Sequence, residues 1–388
     1  MAMKPFQIHY TKDEIHDLNR RLDATRWPTL PFDTGWNSGT NDRVLRELVR
    51  YWRRDYDWFD AQENLNQLTH LRGPIGGEEH LHCIHFSGSG GGEPTPLLLL
   101  HGWPSSFAEF LKAAEMLSSG MDGMPAFDLV VPSLPGFSFS EAPRVPGMHA
   151  GKIAERMHGL MEELGFKKYG VQGGDWGAII GTAIALQHPE ALTGLHINFV
   201  HPSPPVPDGE ELTGEEKAYL DFHKKFQVEE SAYSRIQATK PQTLAYAQLD
   251  SPVGLLAWFL EKYWAWSDHG DDIWETFERD QLLTNVMLYW FSGCVLSAAR
   301  IYHETFFHMP KELRTGRVEV PTGYARFPAE PWAPPRHVVK RRYNLVYYSE
   351  PQKGGHFAAM EQPALWSKDV ATFFSRILKE NFPMKGNE

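Results

Sequence analysis

The stretch KKYGVQGGDWGAIIGTAIAL, residues 167–186, reads as a strand, a tight turn and a helix, with Asp175 at the apex. Gly173 and Gly177 stand two positions to either side, the small residues that a pinched strand-to-helix elbow needs to lift a nucleophile clear of a sheet. An aspartate at a helix start is also a common cap for the first N–H groups, so the elbow reading needs partners. Two other stretches supply them. HGWPSS, residues 101–106, leaves an apolar strand through Gly102 and aims backbone N–H groups, that of Trp103 above all, toward the mouth of a pocket. The N–H of Trp176 would join it, making a pair of oxyanion donors. GGHFAAMEQP, residues 354–363, carries His356 on a glycine-hinged loop ahead of a helix, and imidazole is the side chain whose pKa suits a base near neutrality. Taken singly, HGWP is an ordinary strand-to-helix turn and His356 is one of 18 histidines. Together, at strand ends of one sheet, they describe nucleophilic attack by a carboxylate followed by histidine-assisted hydrolysis.

These groups need a scaffold that brings distant strand ends together. QLTHLRG, EEHLHCIHF and PLLLLHG read as strands, and the four leucines mark a strand buried on both faces, as parallel sheets require. Strand and helix then alternate: a helix at 107–118, FDLVVPSL, a helix at 150–164 closed by Gly165, KYGVQ, a helix at 177–187, and LHINF. In the helix at 150–164, Ile153, Met157, Leu160 and Leu164 recur at helical spacing. Such alternation predicts a mostly parallel sheet flanked by helices. Proline-rich HPSPPVPDGEE leads out of it into 204–312, helical and rich in tryptophan and tyrosine, which reads as an inserted cap. RVEVPTGYARFP, a helix near 335–342, NLVYYSE and a closing helix with Trp366, Val370, Phe373 and Ile377 complete the sheet. The N-terminal part opens with a helix capped by Thr11 and Glu14, carrying Ile15, Leu18 and Leu22 on one face. A second helix, 41–54, follows with the stripe Leu45, Leu48 and Trp52. The expected division is 1–90, a helical extension leading into the first strands; 91–203, the first half of the core; 204–312, the cap; and 313–388, the second half of the core.

Composition narrows the function. The 388 residues, 42% hydrophobic and 13% aromatic, can bury a large core. A net charge of −11 without clustered basic residues argues against a nucleic-acid partner. Cys83 and Cys294 lie far apart in apolar stretches and read as two buried thiols, which fits a cytoplasmic protein. MAMKPFQIHYTKDE resembles neither a signal peptide nor a membrane span, and no window offers about 18 uninterrupted apolar residues. No zinc spacing, phosphate loop or dinucleotide fingerprint occurs, so neither a metal nor an organic cofactor is expected.

HGWPSSF, GGDWG and GGHFAAMEQP, in this order and spacing, resemble the epoxide hydrolases of the microsomal type. That family lies within the α/β-hydrolase superfamily and includes soluble microbial members and insect juvenile-hormone epoxide hydrolases. The helical N-terminal segment resembles the extra region of that branch, and the likeness covers nearly the whole chain. It implies an α/β-hydrolase fold with a mostly parallel central sheet, a helical cap insertion and a helical N-terminal extension. It implies Asp175 as nucleophile, His356 as base, and Trp103 and Trp176 as oxyanion donors. Through FPAE it implies Glu330 as the acid that orients the histidine; Glu350, six residues before His356, is the alternative. Through SAYSRIQATKP and AARIYHETF it implies Tyr233 and Tyr302 as cap phenols that polarise the epoxide. The chain departs from the pattern at Ser105, where many relatives have glycine, and is expected to be without the membrane anchor of the animal enzymes. The implied partners are a small-molecule epoxide and water, with a homodimer expected from family habit and no membrane or nucleic acid. An apolar or aromatic epoxide is expected if LAWFLEKYWAW (256–266) and YWF (289–291) line the cavity; equally, those rings would pack cap helices together.

The chemistry explains the aspartate. Serine attacking the saturated carbon of an epoxide would leave an inert ether, whereas a carboxylate leaves an ester whose carbonyl belongs to the enzyme and can be hydrolysed. Three rivals are weighed against this. A haloalkane dehalogenase shares the aspartate and the following tryptophan but needs N–H groups on a halide rather than paired phenols. An esterase would place serine at the elbow. A silent ligand-binding relative would have no use for an intact nucleophile, base and acid.

Overall fold

The computed structural model describes residues 3–76, 79–89, 94–121, 124–206, 209 and 211–381. The elements run β1 (Lys4–Pro5), α1 (Lys12–Asp23), α2 (Asp42–Arg54), α3 (Trp58–Asn66), β2 (Thr69–Pro74), β3 (His80–Phe86), β4 (Thr95–Leu100), α4 (Leu111–Ser119), β5 (Phe127–Pro132), α5 (Ala150–Glu163), β6 (Tyr169–Gly173), α6 (Asp175–Gln187) and β7 (Leu192–Ile197). Seven helices follow: α7 (Gly214–Glu229), α8 (Ala232–Thr239), α9 (Pro241–Asp250), α10 (Pro252–Trp266), α11 (Arg279–Ser292), α12 (Val295–His308) and α13 (Lys311–Thr315). The chain then returns through β8 (Val318–Ala325), α14 (Arg336–Lys340), β9 (Tyr343–Ser349), α15 (Ala358–Glu361) and α16 (Pro363–Asn381).

The nine strands form one sheet in the order β1-β2-β3-β5-β4-β6-β7-β8-β9. Pairing is antiparallel from β1 to β5 and parallel among β5, β4, β6, β7, β8 and β9. Leu97 to Leu100 on β4 are fully buried, as four consecutive leucines require when both faces are covered. Alternation along β6 shows what covers each face. A Cβ on Gly170 would meet the Phe374 ring of α16, while Val171 packs against Gly181 of α6. Successive strand residues point to opposite faces, so α6 and α16 sandwich the sheet. The closing helix buries Trp366, Val370, Phe373 and Ile377, the stripe read from sequence.

The N-terminal helices lean on the inserted ones. Asn41 caps α2 by accepting from the N–H groups of Arg43 and Val44, and Leu45, Leu48 and Trp52 are buried on its inner face. Trp36 stacks on Trp264 of α10 with ring centres 4.4 Å apart, and the Thr40 hydroxyl donates to the Ala257 carbonyl at 2.6 Å. Two elements were not expected from sequence, β1 and α3. Helix α3 buries only Trp58 and Leu65, near its ends, too few apolar positions to set a visible period, although Asp57 is a good N-cap. Part of the glycine-rich SGSGGGEP turn and part of HPSPPVPDGEE lie outside the described residues. Cys83 and Cys294 are buried free thiols. Among the described residues no single helix is long and apolar enough to cross a membrane; α11 and α12 meet that test only as a pair bent by 90°.

Candidate active site

Asp175 stands where β6 ends and α6 begins, with φ +45°, a left-handed conformation that a branched or bulky residue tolerates poorly. The elbow closes only because its flanks are bare. A Cβ on Gly173 would lie 2.3 Å from the Gly177 carbonyl carbon, and one on Gly177 would lie 1.8 Å from the Leu100 oxygen. The end of β4 comes equally close, since a Cβ on Gly102 would overlap Asp175 Oδ1 at 2.0 Å. That closeness lets the Trp103 N–H donate to Asp175 Oδ1 at 2.8 Å. Trp176 lies in the first turn of α6, where an N–H has no carbonyl partner inside the helix.

The loop bearing Trp103 is held from both sides. His101 Nε2 accepts from the Leu134 N–H at 3.2 Å, which puts the ring proton on Nδ1, where it donates to the Gly102 carbonyl at 3.0 Å. Burial holds this ring down to about 4, so it is a neutral structural group. From the inserted helices, Asn285 Nδ2 donates to the Pro104 carbonyl at 2.7 Å and the Tyr289 hydroxyl to the Ser105 carbonyl at 2.6 Å. Ser105 is buried and has no left-handed φ, so serine in place of glycine strains nothing here.

His356 lies between two carboxylates. Its Nδ1 is 2.8 Å from Glu330 Oε2, and its Nε2 faces Asp175 Oδ2 at 3.4 Å without a well-aligned hydrogen bond. Glu330 is buried and accepts the Trp332 N–H on its other oxygen at 2.9 Å, so both of its oxygens are occupied. Glu350 is exposed and bonded to the Tyr348 hydroxyl, away from the histidine. Burial by itself lowers the His356 pKa, but the charges of Glu330 and Asp175 carry it well above the usual range. The loop under His356 is anchored by a residue that sequence reasoning missed. Glu361 accepts N–H groups from Gly355 at 2.9 Å, Phe357 at 2.8 Å and Asp268 at 2.7 Å. Burial pushes its carboxyl up to about 8 while those three donors pull the other way. The signal was present in GGHFAAMEQP itself, an acid five residues past the histidine in an otherwise apolar string.

Tyr233 on α8 and Tyr302 on α12 close the roof. The Trp103 ring stacks on Tyr233 at 5.3 Å between centres, and Tyr302 sets its edge on Trp176 at 4.7 Å. The buried Tyr302 hydroxyl has no hydrogen-bond partner among the described residues, and such an orphan marks a position that a ligand can satisfy. Burial holds both phenols far above their usual pKa, so they remain protonated donors. Asp175, Tyr233 and Tyr302 all face one cavity of about 620 Å³. Its walls come from α6, α7, α8 and α12, with Phe199 and Trp332. Among the described residues it is lined by neither the 256–266 stretch nor the 289–291 stretch. Those rings are core instead: Trp266 packs edge-on against His356 at 5.0 Å, and Tyr289 is fully buried.

The parallel sheet, the strained elbow after β6 and the histidine loop after β9 define an enzyme of the α/β-hydrolase fold, and the sequence model described as alpha/beta hydrolase fold matches residues 95–214. The model described as Epoxide hydrolase N terminus matches residues 3–110. A putative epoxide hydrolase of Stigmatella aurantiaca (strain DW4/3-1) is 38% identical over 381 residues, covering 97% of this chain and 86% of the relative. Epoxide hydrolase 1 of Oryctolagus cuniculus is 34% identical over 411 residues, covering 98% and 90%. The crystal structure of juvenile hormone epoxide hydrolase from the silkworm Bombyx mori superposes with a TM-score of 0.89 at 33% identity, over 98% of this chain and 96% of that one. The chain belongs to the epoxide hydrolase family.

Proposed function

We propose that this protein converts an epoxide and water into a vicinal diol through an ester on Asp175. One observation carries the reading: Asp175 shares its two oxygens between the Trp103 N–H and His356 Nε2, at the floor of a cavity roofed by Tyr302, whose buried hydroxyl is unpartnered. The helices from α7 to α13 act as the cap that brings both phenols over the nucleophile.

The geometry divides the carboxylate's labour. Oδ1 sits on the Trp103 N–H, so Oδ2 is the attacking atom. As the Oδ2–carbon bond forms, the ring carbon–oxygen bond breaks, and the alkoxide takes a proton from a phenol of Tyr233 or Tyr302. Preorganised donors of this kind supply about 3 kcal/mol or more at the transition state. His356, held by Glu330, then removes a proton from water as that water attacks the ester carbon. Charge gathers on Oδ1, where the N–H groups of Trp103 and Trp176 receive it. Collapse breaks the bond between the ester carbon and Oδ2. The diol departs with Oδ2 and the proton from His356, and the new Asp175 acid gives up its remaining proton to restore the phenol.

Loss of the Asp175 charge in the ester prepares the second step. The free carboxylate helps to keep His356 protonated, and once esterified it no longer does, so the ring releases that proton to solvent, serves as the base, and takes a proton back from solvent when the carboxylate is restored. Paired phenols favour this reading over halide displacement, which would need N–H donors for the leaving ion.

The test is a pair of variants given a reactive aryl epoxide. Asp175→Ala is expected to form no diol and no adduct. His356→Gln is expected to accumulate a stoichiometric covalent adduct visible by intact-protein mass spectrometry. Diol formation by Asp175→Ala at the rate of the native chain would remove Asp175 from the role of nucleophile.

A further inference from the structure

The cavity over Asp175 is not apolar throughout. It follows α6, because Asp175, Ala178, Ile179 and Thr182 line it at the spacing of one helix face. Seven residues at the α-helical rise put Thr182 about 10 Å further along the axis than Asp175. At that depth the Thr182 hydroxyl lies 3.0 Å from the Tyr343 hydroxyl. Arg342, next in the chain to Tyr343, lines the cavity as well, as does Arg314.

Arg342 is 6% exposed. Its guanidinium donates only to carbonyls, from Nε to Gly316 at 3.3 Å and from Nη2 to Leu313 at 3.0 Å. Arg314 likewise donates to the carbonyls of Met309, Thr305 and Phe306. Among the described residues neither forms an ion pair with a carboxylate, and their hydrogen bonds to carbonyls run from Nε and Nη2. Arg342 is thus a buried guanidinium whose acceptors, carbonyls at the end of α13, offset its charge only in part, which leaves room for an anion to complete the pairing. Among the described residues the charged lining of the cavity is Arg235, Arg314 and Arg342 against Asp175 alone, in a chain whose net charge is −11.

Resting on the epoxide reading and naming its substrate class, we infer that the cavity selects epoxides carrying a carboxylate about 10 Å from the ring, with Arg342 and Arg314 receiving the carboxylate while Asp175 attacks the epoxide. An extended chain advances roughly 1.2 Å per bond, so about eight bonds separate the two groups. A guanidinium edge matches a carboxylate in a way that no uncharged group reproduces. If the two arginines merely cap the ends of α12 and α13, the native chain has no reason to prefer an anion.

The probe is the terminal epoxide of ω-decenoic acid, which has about eight bonds between carboxylate and ring, compared with its methyl ester and with styrene oxide. The native chain is expected to show kcat/KM for the acid about tenfold or more above that for the ester, the lower end of what charge-assisted hydrogen bonds contribute. Arg342→Met is expected to bring the acid-to-ester ratio near unity, and Arg342→Lys to keep a several-fold preference. Because Arg342→Met could fail to fold, the native ratio decides: equal efficiency, or preference for the ester, overturns the inference. Absence of turnover with acid, ester and styrene oxide alike would overturn the epoxide reading itself and the inference with it.

Discussion

In the proposed mechanism, the protonation of His356 ties the two halves of the reaction together. Glu330 at 2.8 Å and Asp175 at 3.4 Å hold its pKa above the usual value against the lowering effect of burial. The sign of the pH effect follows. Esterification removes the Asp175 charge and part of that elevation, so ester hydrolysis should speed up as pH rises through the lowered pKa. Formation of the ester should stay flat on the alkaline side, because burial keeps the phenols of Tyr233 and Tyr302 protonated. Stopped-flow tryptophan fluorescence, with Trp103 and Trp176 against the site, separates the two steps. A hydrolysis step that fails to speed up as pH rises above neutrality, where Glu330 still holds the imidazole above its usual value, would contradict the role of His356 as base. The sequence made Asp175, His356 and Glu330 legible because each sits in a local string with its own backbone chemistry. Glu361 was not legible because its meaning lies in three N–H groups, one of them 93 residues away in the chain.

The elements explain why so few local strings suffice. A strand ending in glycine, a left-handed aspartate and a helix opening with Trp-Gly leave one conformation in which Gly177 touches the Leu100 carbonyl. Gly177→Ala should therefore destabilise the fold by at least about 3 kcal/mol, the upper range of overpacking in a core, as read by urea denaturation. Glu361→Ala leaves two buried N–H groups and one partly buried one without an acceptor and should cost about 3 kcal/mol. It should also lower kcat further than it changes KM, since it loosens the histidine loop rather than the cavity. Sequence periodicity found the helices with full apolar stripes, α2, α5 and α16, and passed over α3, which buries little. It could not say which cap helices wall the cavity. Aromatic content drew attention to 256–266, yet those rings fill the space behind Trp103 and His356, while α7, α8 and α12 form the walls. Composition identifies apolar mass, and only packing decides whether that mass faces a void.

At the scale of the molecule, the N-terminal helices brace the cap from behind. Trp36 on Trp264, Thr40 on Ala257 and Tyr56 on Thr284 join α1 to α3 with α10 and α11. Helix α11 also reaches forward to the loop bearing Trp103 through Asn285 and Tyr289. The N-terminal helices, α10 and α11, and the Trp103 loop are thus joined in one chain of contacts. Trp36→Ala should cost about 1–2 kcal/mol, the stacking and partial burial of a half-exposed ring. Thermal denaturation should still show one cooperative transition, and early loss of the cap alone would mean that the extension is not a brace.

The central claim is that the oxygen entering the enzyme comes from water while the oxygen entering the diol comes from Asp175. A single turnover with enzyme in excess, run in heavy-oxygen water and followed by peptide mass analysis, reads both fates at once. Heavy isotope is expected in the peptide that contains Asp175, and ordinary oxygen in the first-turnover diol. Heavy isotope in the diol with an unlabelled Asp175 peptide would show that water attacks the epoxide directly, and no ester would then be formed.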